Sequence, residues 1–203
     1  MSKFSPLVLV RLLSQPKSVF EEIAESAPSA PAVFLGASLW LGLAPPVFAF
    51  IGASQYGWNV GVVEPIFLST QDLLAISIAY FTALLSGFVS AALVSKWMAS
   101  TYGARHSLGV HFALITVIGT PLAFGSVVHL YPHVMINLLV LVPMLIWSLY
   151  LLYWGLPIAL KINRERGMLM ASSLVGFLLV AAVSLLGATV VLWTNGVGPR
   201  IWI

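Results

Sequence analysis

Apolar runs recur along this chain, each about 20 residues long, the length an α-helix needs to cross a hydrocarbon core about 30 Å thick. They centre on residues 31–52, 72–95, 108–128, 134–160 and 168–193. None shows the alternation of apolar and polar residues that a membrane β-barrel requires. Composition agrees: 60% of residues are hydrophobic, mean hydropathy is +1.03 and only 7% are charged. A soluble domain keeps about a quarter of its residues charged, so no water-exposed surface could be built from this chain. The expected fold is all-α, a polytopic membrane bundle of five transmembrane helices preceded by a short amphipathic cytoplasmic helix. Residues 1–30 would form the N-terminal cytoplasmic segment, 31–195 the five-helix domain and 196–203 an extracytoplasmic tail. A chain of 203 residues leaves no room for a second folded domain. The N-terminus does not read as a cleaved signal peptide, because Arg11 interrupts the apolar run from Leu7 to Leu13.

Charge placement predicts the direction of the spans. Lys3, Arg11 and Lys17 precede the first; Lys96 and Arg105 follow the second; Lys161, Arg164 and Arg166 follow the fourth. Of the 9 Lys and Arg, only Arg200 falls on the other side. Basic loops stay in the cytoplasm, so the N-terminus is expected inside and the C-terminus outside.

The segment before the first span has its own pattern. Pro16 suits the first position of a helix. Val19, Phe20, Ile23, Ala24 and Ala27 then share one face, and Ser18, Glu21, Glu22 and Glu25 the other. Such a helix can lie on the membrane or dock on the protein's own basic cytoplasmic loops, and the acidic polar face leaves both open. "SAPSAP" reads as a stiff hinge into span one.

In lipid, close backbone approach and hydrogen bonds hold helices together. Ala79, Ala83, Gly87, Ala91 and Ser95 recur every four residues in span two and predict a packing stripe at the centre of the bundle. A large residue at Gly87 would then separate helices. Gly176, Ser184 and Ala188 form a weaker version in span five. At 1.5 Å per residue, Pro45, Pro121 and Pro143 all fall roughly 17–21 Å from the inner ends of their spans. Such breaks either kink a helix or mark a midplane substrate site. A cavity there would take polar contacts from Thr116, Thr120 and Asn137.

Chemistry is sparse. No Lys or Arg lies at the centre of a span, which argues against ion-coupled transport. The chain has no cysteine, and it lacks a G-x-S-G serine, paired intramembrane aspartates and an H-E-x-x-H helix. A lone Ser or His in such a span is usually a packing group. "HLYPH" places His129 and His133 in a short outer turn, on the same side as Glu64 and Asp72. Two imidazoles and two carboxylates would suit zinc, although Pro132 keeps the histidines off one regular helical face. Trp147, Tyr150 and Trp154 share a face near the inner end of span four, as an interfacial belt would. A binding groove is the alternative.

The last two-thirds of the chain resembles the bacterial branch of the Yip1 family of five-span membrane proteins. The likeness lies in "YGARHSLGVHFALITVIGTPLAF" and "VLVPMLIWSLYLLYWGLPIALKI", with "LLSQPKSVFEEI" similar to the family's opening. Gly103 is followed by Ala104 and Arg105 where the branch often has a Gly-Gly pair. The D-L-Y-G-P motif of eukaryotic members is absent, so their link to Rab GTPases does not carry over. The resemblance implies a bacterial inner-membrane location and N-in, C-out topology, and supplies no catalytic residues.

The expected function is therefore non-enzymatic membrane organisation or protein interaction, with no cofactor. Expected partners are membrane lipid and another membrane protein or a second copy; none is a nucleic acid. The cytoplasmic partner face would comprise Lys17, Glu21, Glu22, Glu25, Lys96, Arg105, Lys161, Arg164 and Arg166. The alternatives are binding or permeation of a small solute or metal ion, and an accessory subunit of a larger complex.

Overall fold

The computed structural model describes residues 7–12, 14–59, 61 and 64–196. Lys3, Arg200 and residues 197–203 of the expected tail lie outside these. Five helices are long and apolar enough to cross a membrane: Ala30–Tyr56, Thr70–Ala99, Leu108–Leu130, Val134–Ala159 and Arg164–Thr194, here spans one to five. Among the described residues there are no strands, only isolated bridges pairing Trp58 with Ile66 and Asn59 with His133 in the turns of one end.

Several helices outrun their apolar stretches because polar residues cap them. Ser69 Oγ accepts from the Asp72 amide at 3.1 Å and donates to the Asp72 carboxylate at 2.7 Å, starting span two early. Asn163 Oδ1 accepts from the Arg166 amide at 2.9 Å and does the same for span five. Each side chain satisfies an amide that the first helical turn leaves unpaired.

Span three, rather than span two, is the centre of the bundle. Half of its apolar stretch is buried, against 6% of that in spans two and five. Every residue from Gly109 to Val117 is enclosed. Spans one, two and four and the N-terminal amphipathic helix all pack on it. Hydrogen bonds join the hub to its neighbours: Ser38 meets Thr116 at 2.7 Å, and Ser95 meets His111 at 2.9 Å. His106 Nε2 donates to the Leu160 carbonyl at 3.0 Å, fastening the start of span three to the end of span four. Tyr153 pairs with Ser172 at 3.0 Å and Tyr102 with Ser173 at 2.8 Å, holding the first half of span five. Beyond Phe177, span five stands apart from the bundle, and no residue from Leu178 to Trp193 is buried.

The amphipathic helix Pro16–Ser26 packs against the bundle at its basic end. Its partners in the bundle are spans three and four. Val19, Phe20, Ile23 and Ala24 are buried beneath it; Ala27 is exposed, since it turns left-handed and ends the helix instead of continuing its face. A preceding helix, Leu7–Arg11, is tied to it by an ion pair of 2.8 Å between Arg11 and Glu22.

Candidate binding sites at the two ends of the bundle

The nine residues of the expected partner face come together at one end, and each is exposed. The sequence does not reveal how span four stops there. Leu160 is its last cap, followed by Lys161 with φ 49°. The Lys161 amide donates to the Ile158 carbonyl at 3.2 Å, and the Ile162 amide to the Pro157 carbonyl at 3.1 Å. This is the Schellman arrangement, in which a left-handed residue closes the helix and satisfies its last carbonyls. Glycine normally holds that position; here it is a lysine. Between this turn and the start of span five lies a groove of about 530 Å³. Tyr150, Trp154 and Met168 line its apolar part and Lys161 and Arg164 its polar part. Tyr150 and Trp154 stack with ring centroids 6.1 Å apart, and Phe20 of the amphipathic helix meets Trp154 edge-on at 6.2 Å. Trp147, the third aromatic of that face, lies outside the groove lining and, like Trp154, packs against the core.

The opposite end holds an apolar recess of about 420 Å³, lined in part by Trp58, Tyr80, His129, Asn137 and Leu141. His129 Nδ1 donates to Asn137 Oδ1, and Tyr80 Oη approaches His129 Nε2 at 3.5 Å. Asn137 Nδ2 donates to the Tyr131 and His133 carbonyls at 3.1 and 3.0 Å, so this amide holds the turn closed. His133 stacks on Tyr131, the Asp72 carboxylate is held by its capping serine, and Glu64 is exposed in the loop. The structure therefore does not assemble His129, His133, Glu64 and Asp72. Among the described residues, no group of three or more such side chains is placed to hold a metal ion.

The other sequence-derived sites are rearranged as well. Ala91 and Ser95 are buried, but Ala79 is exposed and Ala83 half-buried. A Cβ built at Gly87 would have open space around it. The stripe thus packs most closely in its inner part, and a single methyl group added at Gly87 would meet no neighbour. The residues expected around a midplane cavity do not come together: Pro45, Thr116, Thr120 and Pro121 are packed into the interior, Asn137 lines the far recess, and Pro143 faces outward. Thr116 and Thr120 spend their hydroxyls on the carbonyls of Phe112 and Thr116, one turn earlier in the same helix.

Five apolar spans around a hydrogen-bonded interior define a polytopic integral membrane protein. The Yip1 domain matches residues 10–186. The chain is 35% identical over 164 residues to Inner membrane protein YohC of Escherichia coli strain K12, covering 81% of this chain and 83% of that relative. The YohC protein of Escherichia coli strain CFT073 matches to the same extent. The chain belongs to the Yip1 family. No solved structure matches it.

Proposed function

We propose that this Yip1-family protein is a non-enzymatic interaction factor of the inner membrane, recruiting another membrane protein or a second copy through its lateral face. The observation that carries the reading is the uncovered half of the bundle opposite the basic end. Span five leaves the bundle beyond Phe177; on span two Ala79 is exposed, Ala83 and Gly87 are only half-buried, and a Cβ at Gly87 would meet open space. Gly176 and Gly187 of span five are likewise open. Small residues let helix backbones approach closely in lipid, so this opening is shaped for another helix. The packed hub weighs against a permeation pathway along the bundle axis. The charge asymmetry supports a cytoplasmic basic end, and the relatives' printed name supports the inner membrane.

The absence of cysteine makes the test clean. Single cysteines at Gly87 and Ser184 are expected to crosslink in native membranes, to a second copy or to a distinct protein, while one at the outward-facing Val142 is not. A second copy would identify a homo-oligomer, and a distinct stoichiometric protein an adaptor or subunit. Crosslinks at neither lateral position would overturn the reading. For orientation, Glu25→Cys is expected to react with an impermeant thiol reagent only after the membrane is opened. Asn195→Cys is expected to react from outside; the reverse pattern would invert the proposed topology.

A further inference from the structure

We propose that the groove between spans four and five binds one anionic glycerophospholipid, with its phosphate held by Lys161 and Arg164 and an acyl chain lying over Tyr150, Trp154 and Met168. The groove stands independently of the lateral interface proposed above. Its polar and apolar parts match an amphiphile with a negative head. From Lys161 to Tyr150 the wall extends roughly 16 Å along the helix, enough for a substantial part of an acyl chain. Both cations are available. Among the described residues Arg11 and Lys17 pair with Glu22 and Glu21, but neither Lys161 nor Arg164 is in an ion pair. Glu165 follows Arg164 in the chain and lies outside the groove lining.

The backbone adds an independent observation. Lys161 takes φ 49°, where a glycine would be free of strain. Strained positions recur where a side chain's placement matters to function, and here the strained residue supplies one of the groove's two charges. The site lies where a span ends among basic residues. In the proposed orientation this is the leaflet whose anionic lipids attract Lys and Arg, and basic pockets between spans bind their headgroups.

The test is native mass spectrometry of the full-length protein in mild detergent, titrated with phosphatidylglycerol or with phosphatidylcholine of the same acyl chains. Wild type is expected to retain one phosphatidylglycerol and to bind phosphatidylcholine several-fold more weakly. Lys161→Gln and Arg164→Gln should each weaken retention about fivefold, the ratio expected for losing one basic side chain at an anionic lipid, and together about 25-fold. Lys161→Gly should weaken retention about as much as Lys161→Gln while leaving the lipid-free protein at least as heat-stable as wild type, which separates a binding role from a structural one. Lys96→Gln, outside the groove, should retain it. Equal binding of the two lipids, full retention by the double variant, or no retention by wild type would each overturn the proposal. So would displacement by glycerol phosphate as effective as by lipid, since the site would then belong to a soluble phosphate.

Discussion

Gly109→Ala is expected to unseat the N-terminal arm and to be among the most damaging single-methyl additions in this protein. A Cβ at Gly109 would lie 1.7 Å from the Pro28 carbonyl oxygen and 2.9 Å from the Ala30 amide nitrogen. Both obstacles are backbone, so no side-chain rotation relieves them. The hinge between the amphipathic helix and span one rests directly on this glycine, next to the left-handed turn at Ala27. Lifting the hinge draws the helix off its seat, where Val19 and Phe20 are fully enclosed. Overpacking in a core commonly costs 1–3 kcal/mol, and against fixed backbone we expect the upper end, ~3 kcal/mol. Gly87→Ala provides the contrast, since it meets open space and gains about 0.5 kcal/mol of helix propensity. Thermal unfolding in detergent and protease cleavage between Pro16 and Ala30 would check both. Early cleavage is expected for Gly109→Ala alone. Equal behaviour of the two variants would show that the hinge does not bear on span three.

The same glycine logic explains which parts of the molecule were legible in the sequence. Hydropathy is a property of a whole window, so the five spans could be located from their residues alone. The buried face of the amphipathic helix was legible for a similar reason: Val19, Phe20, Ile23 and Ala24 obey one period, and that period survives whatever surface the helix meets. What the face would dock on depends on a contact made by residues far away. Gly155 leaves the space in which the Phe20 ring sits; a Cβ there would fall 2.2 Å from it. Small residues permit approach without requiring it, which is why Gly155 is covered while Gly87, in the more regular stripe, is not. The hub role went to span three, whose His111, Thr116 and Thr120 lie among apolar neighbours and carry no periodic signal. Prolines at similar depths likewise did not converge, because depth leaves rotation about the helix axis undetermined, and Pro143 faces outward. The groove at the basic end depends on a left-handed lysine, a conformation that its residue type argues against.

Ser95→Ala is expected to destabilise the bundle by more than the loss of one exposed hydrogen bond, and a second substitution at His111 should restore most of the loss. His111 is fully enclosed, its Nδ1 lies 2.9 Å from Ser95 Oγ, and its Nε2 has no partner. Removing the serine hydroxyl leaves both ring nitrogens unpaired inside the packed hub. An orphaned buried polar atom costs about 1–3 kcal/mol. Hydrogen bonds between membrane helices average nearer ~0.6 kcal/mol, because a chain unfolded within lipid finds other partners. The enclosure of His111 favours the larger scale, and we expect about 1–2 kcal/mol for Ser95→Ala. Replacing both partners by apolar groups of similar shape removes the orphaned atoms along with the bond. Ser95→Ala with His111→Leu should therefore lie within about 0.5 kcal/mol of wild type, although the serine variant alone does not. A double-mutant cycle on thermal unfolding in detergent reads the coupling directly. Additive losses would mean that the two side chains are merely neighbours, and that the contact between spans two and three is held by apolar packing around Ala91, Ala92 and Leu114 instead.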